Sequence, residues 1–298
     1  MARPSEIATA ADRLSVGCVV LSQGDRLPEL QRALGSVLAQ QGVTVDCLVV
    51  GNGWDPTGLP SGVRGLGLPE NVGIPEGRNV GAAAVAGDVL LFLDDDAELE
   101  GSDFLARAIA GFAADPALAV LQPRAVDPAG GPTARRHIPR LLIGHPERPG
   151  DVAWFWEGCS LIRRTALAAV GGWPGEFFYG HEGIEVAWRV IDTGGRIHYA
   201  ADLTARNPAA SPFRGSRHRY TNARNRVWVA RRNLPVGLAV GYLLVWVSAS
   251  LLRARSGGEL RDLMRGFRDG LRQPCGRRRP IRWRTAWRLT RLGRPPIV

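Results

Sequence analysis

Three adjacent carboxylates, Asp94-Asp95-Asp96, follow the apolar run that ends at Leu93. Carboxylates side by side repel one another, and the end of a buried strand is a poor place for them without a counter-ion. A divalent cation with a bound diphosphate relieves that repulsion, and hard oxygen ligands of this kind suit Mg²⁺ or Mn²⁺. Taken alone, the triplet reads equally well as a solvated turn capping the helix that begins near Ser102.

The residues upstream add chemistry. Asn71-Val72-Gly73 leads to Gly77-Arg78-Asn79-Val80-Gly81, then to Gly87-Asp88 and the strand that runs into the carboxylates. Glycines let a backbone approach a ligand closely, and an arginine neutralises a phosphate or packs on a nucleotide base. The competing reading is a glycine-rich helix lying tightly on a sheet.

Elements that position these residues follow from periodicity. Val16 to Leu21 is an apolar run closed by Ser22-Gln23-Gly24, the pattern of a buried strand. Leu27, Leu30, Leu34, Val37 and Leu38 recur at helical spacing, with Pro28 in the first turn and Gly42 as the stop. Val43 to Val50 predicts a second strand before the turn Gly51-Asn52-Gly53, and Leu66 and Leu68 a weak third. Pro75 to Ala86 predicts a helix, Asp88 to Leu93 a strand and Phe104 to Ala113 a helix. The order β-α-β-β-α-β-α implies an α/β fold with a mainly parallel central sheet flanked by helices. In such sheets ligands bind beyond the carboxyl ends of the strands, where the acidic triplet lies. Asp127 to Gly150, rich in Pro, Gly and Arg, reads as a long loop. A strand from Trp154 through Ile162, helices at Thr165 to Val170, Glu182 to Thr193 and Tyr220 to Arg232, and a strand at Arg196 to Ala200 complete the expectation. Pro235 marks a boundary.

Composition narrows the class. The four cysteines, Cys18, Cys47, Cys159 and Cys275, are scattered and form neither a disulfide framework nor a zinc-ligand cluster. They read as small buried hydrophobes in a reducing setting. Met1 to Arg13 is polar and does not read as a secretory signal. The net charge of +10 belongs to the tail: from Leu251 onward fourteen arginines face Glu259, Asp262 and Asp269, a balance of +11 that leaves the first 250 residues at −1. Aromatics crowd the second half (Trp154, Phe155, Trp156, Trp173, Phe177, Phe178, Tyr179). Their faces suit the C–H faces of sugars, although ordinary core packing is the commoner use.

The stretch Glu70 to Leu99 resembles family 2 glycosyltransferases, which have the GT-A fold, and Trp156 to Asp202 resembles the acceptor-side half of the same family. The resemblance covers roughly residues 14 to 233. It implies a metal-dependent inverting transfer from a nucleoside-diphosphate sugar to a hydroxyl of a glycan or lipid-linked acceptor. It implies nucleotide-sugar contacts at Ser22, Asn52, Asn71, Arg78, Asp94 and Asp95, and Mn²⁺ or Mg²⁺ held by Asp96 with help from Asp94. The family takes its general base from a Glu-Asp pair at the start of an acceptor-side helix. Here the sequence is His181-Glu182-Gly183-Ile184-Glu185, with Gly183 in place of the Asp. Glu182 is the expected base, Glu185 the second candidate and His181 an alternative. Glu185 also stands at ion-pair spacing from Arg189. Two further departures are Gly51, where the family often carries an Asp that contacts uracil, and Asn207, where a His is common. His218 is a distant substitute for that His.

The expected division is a GT-A domain at 1–235, with a nucleotide-sugar half near 14–125 and an acceptor half near 150–235, followed by an apolar, then Arg-rich, helical tail at 236–298. Val236 to Leu252 carries no charge over 17 residues, short of the roughly 20 that a spanning helix needs. Arg277 to Arg294 interleaves arginines with Trp283, Trp287 and Leu289, which favours a helix lying on an anionic membrane over a nucleic-acid contact. The expected location is cytoplasmic, at the inner face of the plasma membrane. The alternatives are a non-catalytic GT-A-like nucleotide-sugar-binding protein and a nucleotidyltransferase. Ser22-Gln23-Gly24-Asp25 matches the latter's phosphate loop poorly.

Overall fold

A strand that is apolar along its whole length has to be covered on both faces. β1 (Val16–Ser22) and β4 (Val89–Asp94) are two such strands in the computed structural model, which describes residues 14–130, 133–139, 145–208 and 215–297. Along β4, Leu90 and Phe92 enter one core with Trp173, Val186 and Val190. Leu91 and Leu93 enter the other, with Leu30, Leu34, Phe104 and Phe112. The alternation is the two-residue period of a strand, and each side chain so buried contributes roughly 1.5–3 kcal/mol.

The nine-stranded sheet has the order β3-β2-β1-β4-β8-β6-β9-β5, with β7 paired to β9. β3 (Val63–Leu68), β2 (Val45–Asn52), β1 and β4 run parallel. β8 (Cys159–Arg163) is antiparallel to β4 and to β6 (Leu118–Val126), and β6 is parallel to β9 (Arg196–Arg206). The two-residue strands β5 (Glu98–Leu99) and β7 (Gly150–Asp151) lie antiparallel on β9. Ser22 is paired with Gly51, and Leu21 with Asp94. Ser22, Asn52 and Asp94 therefore line the carboxyl edge of the parallel half.

Three helices pack on this half: α1 (Leu27–Leu38), α2 (Ile74–Ala84) and α3 (Phe104–Ala114). In α1, Leu30, Ala33, Leu34 and Val37 are buried, the i, i+3, i+4, i+7 stripe of a core-facing helix. In α2 the stripe is made of absences. A Cβ on Gly77 would sit 2.5 Å from Leu21, and one on Gly81 2.3 Å from Val19. These two glycines bring the helix down onto the sheet, not onto a phosphate. That is the plainer of the two sequence readings, and it sets Arg78 beside the tip of β4.

The second half adds α4 (Arg164–Val170), α5 (Glu182–Thr193) and α6 (Ser216–Asn233). The strand expected from Trp154 begins only at Cys159, because Trp156-Glu157-Gly158 leaves the ladder: Trp156 N–H donates to Gln122 Oε1 (2.8 Å) and Asp94 N–H to Gly158 O (2.8 Å). The late strand runs to Arg206, six residues beyond the expected Ala200. β6 was not expected, since Pro123 and Arg124 interrupt its pattern; the chain accommodates them with a register shift against β9. Of the expected loop at 127–150, residues 131–132 and 140–144 lie outside the described residues, and Arg135–His137 form a 3₁₀ turn.

The tail folds back on the domain. α7 (Val236–Arg253) rests on Tyr242, α8 (Gly257–Arg272) lies against α6, and α9 (Trp283–Arg291) sits against α5. Asp192 of α5 accepts from the Arg282 backbone N–H at 2.9 Å, and Thr285, Ala286 and Leu289 are buried.

Candidate active site

Two separate backbone devices bring acidic residues to one place. The first is the tip of β4, where the Asp94 side chain is 41% exposed, Asp96 22% and Asp95 3%. Arg26, on the turn between β1 and α1, pairs with Asp95 Oδ1 at 2.6 Å and with Asp96. The Ser22 hydroxyl bonds Asp95 and also accepts the Gly24 N–H. Asn207 Nδ2 donates to Asp96 Oδ1 at 3.2 Å. Arg78 Nη2 reaches Asp94 Oδ1 (3.1 Å) and Glu157 O (3.2 Å), while its guanidinium lies 5.0 Å from the centre of the Trp173 ring. Buried in that position, Arg78 acts on the carboxylates and does not present a face to a nucleotide base. A Cβ on Gly158 would come within 2.5 Å of Asp94 Oδ2, so a glycine is needed where β8 passes the triplet.

The second device is the entry to α5. Phe178 (φ 63°) and His181 (φ 71°) hold left-handed backbone that non-glycine residues rarely adopt. Asn225, fully buried on α6, fixes the segment by donating to Phe177 O (2.9 Å), Tyr179 O (2.8 Å) and Gly180 O (3.0 Å). The Ile74 N–H donates to Phe178 O at 2.8 Å, tying the start of α2 to the same loop. Glu182 is thereby held in the interior, and its Oε2 has no hydrogen-bond partner among the described residues.

Glu157 meets it there. The Gly183 N–H donates to Glu157 Oε1 at 2.9 Å, at the amino end of α5 where negative charge is favoured. A Cβ on Gly183 would lie 2.0 Å from that oxygen. The carboxylate missing from the helix is thus replaced by one that arrives from the chain before β8. Glu185 is not brought to this cluster. It ion-pairs with Arg189 (2.8 Å) and Arg232 (2.7 Å) and accepts from Asn233 Nδ2 (2.7 Å), fastening α5 to α6. Asn52 and Asn71 shape the loop before α2: Asn52 Nδ2 donates to Asn71 Oδ1 (3.0 Å), Asn52 Oδ1 accepts the Val72 N–H (2.8 Å), and Asn71 Nδ2 donates to Gln23 (2.9 Å).

Residues 19–171 match the family described as Glycosyl transferase family 2. The chain belongs to that family. The pre-mycofactocin glycosyltransferase of Mycobacterium tuberculosis (strain CDC 1551 / Oshkosh) is 28% identical over 193 residues, which are 61% of this chain and 40% of that protein. The chain therefore spans well under half the length of this curated relative. The mannosyltransferase PcManGT from Pyrobaculum calidifontis, solved with GDP-Man and Mn²⁺, superposes with a TM-score of 0.53 at 16% identity, covering 94% of this chain and 73% of that one. S. aureus TarS 1-349 in complex with UDP-GlcNAc superposes at 0.58 with 13% identity, over 92% and 83%. The fold is GT-A.

In this member of the family the carboxylates are uncomfortable as they stand. Burial, opposed by the Ser22 hydroxyl and Arg26, pushes Asp95 up to about 6. Burial and the charge of Asp94 raise Asp96. Burial and the neighbouring Glu182 push Glu157 up to about 7, and burial likewise raises Glu182 against the pull of Arg78. His181 is driven well down by burial and by Arg226, so it is neutral at physiological pH. The oxygen donors fit Mg²⁺ or Mn²⁺, which are commonly bound through one or two carboxylates plus substrate phosphates. Asp94 and Asp96 would supply the carboxylates. Among the described residues no set of three His, Cys, Asp or Glu side chains forms a complete cage.

Sequence reasoning missed Arg26 and Glu157. Arg26 stands seventy residues from its partner Asp96, and Glu157 looked like part of a strand. The one available signal was Gly183, whose missing side chain implied that something else fills the space. Gly51 has a similar cause: a Cβ there would lie 2.0 Å from Trp54 O, so backbone fills the position where relatives carry Asp. His218 bonds Asn222 on its own helix and not Asp96.

Because the Glu157 carboxyl holds its proton more tightly folded (about 7) than in its ordinary range (4.5), its stabilising contribution is complete below 4.5 and is lost as pH rises through 7. Glu157→Gln keeps an acceptor for Gly183 N–H and carries no charge. Its melting temperature should exceed wild type by roughly 2–4 °C or more at pH 8, with the gap closing toward pH 5. A difference that does not change with pH, followed by calorimetry, contradicts this.

Proposed function

We propose that this chain transfers a sugar from a nucleoside-diphosphate sugar to a hydroxyl of a glycan or lipid-linked acceptor, with inversion at the anomeric carbon. The observation that carries the proposal is the meeting of the β4 carboxylates with the Glu182–Glu157 pair across Arg78, whose charge acts on Asp94, Glu157 and Glu182 alike. Donor contacts fall at Ser22, Asn52, Asn71, Arg78, Asp94 and Asp95. Mn²⁺ or Mg²⁺ on Asp94 and Asp96, when bound, neutralises the departing diphosphate.

The acceptor hydroxyl attacks the anomeric carbon as the bond to the nucleoside diphosphate breaks, and the hydroxyl proton passes to Glu182. Glu182 suits this role because its Oε2 has no hydrogen-bond partner among the described residues and burial raises its pKa. Glu157 shares the proton load of the pair, so the two titrate together. Arg78 holds one guanidinium against both halves of the site and pulls down the pKa of both members of the pair. Glu185, committed to two arginines, serves α5–α6 packing. In steady-state assays of nucleoside diphosphate release from UDP-, GDP- and dTDP-sugars, Glu182→Gln should lower kcat about 10²–10⁴-fold, whereas Glu185→Gln is read chiefly as a lower melting temperature. A Glu182→Gln enzyme with wild-type kcat removes the assigned base.

We infer also that residues 236–298 form a unit that rests on an anionic membrane at its cytoplasmic face. α7 is 18 residues long with a mean hydropathy of 1.7, and only 6% of it is buried. Val236, Val240, Leu244 and Leu252 recur at multiples of four and are 70%, 53%, 65% and 87% exposed. α9 keeps its inner face for α5 and leaves Trp283 and Trp287 outward among arginines. Vesicles containing phosphatidylglycerol should sediment the protein, phosphatidylcholine vesicles should do so far less, and the Trp283→Ala/Trp287→Ala double variant should weaken the binding. Equal partition to both lipids removes the electrostatic part of the inference.

A further inference from the structure

A small cavity of about 50 Å³ lies against His181, the residue before Glu182, and is walled also by Trp154, Ile184, Trp188, Arg226, Tyr242, Trp246 and Arg294. It has room for roughly three waters or one small oxyanion. Its walls come from α5, α6, α7 and the segment after α9, so the tail completes it. Arg226 lies over the Trp246 ring with its Cζ 3.7 Å from the centroid, and Arg294 lies over Trp154 at 4.6 Å.

Neither guanidinium forms an ion pair with a carboxylate among the described residues. Arg226 bonds the Tyr242 hydroxyl, which is neutral, and Arg294 feels the charge of Arg226. Burial lowers both, Arg294 to about 10. Aromatic faces compensate a desolvated cation only in part. His181, neutral and immediately before Glu182, adds a buried Nε2 with no hydrogen-bond partner. Two like charges and an orphan imidazole nitrogen around one small space describe an anion site more closely than a packed core.

We propose that this cavity binds an anionic group of the acceptor, a carboxylate or a phosphate monoester, and so orients the nucleophilic hydroxyl toward Glu182. The proposal rests on the reading of Glu182 as the acceptor-side base. The charge of Glu157 reaches Arg294, so cavity and carboxylate pair are neighbours. A soluble acid and a lipid-borne phosphate share this chemistry. α7 turns Tyr242 and Trp246 toward the cavity and its apolar residues outward, which suits either an aromatic-bodied acid or a phosphate entering from a membrane.

The test uses the full chain and two aromatic probes, benzoate and phenyl phosphate, with benzyl alcohol as the neutral control, followed by calorimetry and tryptophan fluorescence. At least one anion is expected to bind saturably and the alcohol not. The anion that binds more tightly tells carboxylate from phosphate. Arg226→Gln and Arg294→Gln are each expected to weaken anion binding about ten-fold or more, while Arg294→Lys, which keeps the charge and the stem, stays within about five-fold of wild type. Glu182→Gln should bind the probes as wild type does, since probe binding needs no turnover. Failure of probe binding is thereby separated from failure of the catalytic reading. Equal binding of alcohol and anion, anion binding unchanged in both glutamine variants, or equal weakening by Arg294→Lys and Arg294→Gln would each overturn the proposal.

Discussion

Five carboxyl groups, those of Asp94, Asp95, Asp96, Glu157 and Glu182, face the guanidinium groups of Arg26 and Arg78, and the fold is arranged to hold that imbalance. Opposite charges so placed attract strongly only where water is excluded, and an excess of one sign there raises carboxyl pKa values. Asp95 at about 6 and Glu157 at about 7 record the excess. Each arginine is delivered by a different device. Arg26 comes from the turn after β1. Arg78 comes from a helix that two glycines let settle on the sheet. A site built this way carries an excess of negative charge that a cation would offset.

The entry to α5 shows how a glycine makes room for a carboxylate from elsewhere in the chain. With Gly183 in the helix, the space beside Glu182 is taken by a carboxylate from the start of β8. A side chain at 183 and the present position of Glu157 are mutually exclusive. Strain at Phe178 and His181 is borne by three hydrogen bonds from one asparagine, Asn225, so α6 is coupled to the geometry of Glu182 although no α6 residue joins the carboxylates. Glu185, Arg189, Arg232 and Asn233 form the second tie between the same helices.

Much of this was legible in the amino-acid order, because strong hydrophobic periods specify β1, α1, β4 and α5 locally and the acidic triplet sits at the end of one of them. β6 escaped because Pro123 and Arg124 break its pattern, and pairing with β8 and β9 makes it a strand. The roles of Glu157 and Arg26 escaped because they depend on contacts across long stretches of sequence. Glu185 was legible in part: the ion pair with Arg189 follows from helical spacing, whereas its second arginine, Arg232, lies forty-seven positions away. The altered residues at 51 and 207 also find local reasons. A backbone carbonyl fills the space beside Gly51, and Asn207 donates to Asp96.

The charge deficit at the tip of β4 is tested most directly by electron paramagnetic resonance of Mn²⁺ titrated into the protein with UDP or GDP present. Uptake of about one ion per chain, dependent on the protein and lost in Asp96→Ala, is expected of two carboxylates completed by a diphosphate. A free-ion signal that is the same with and without the protein, or the same uptake by Asp96→Ala, would contradict it.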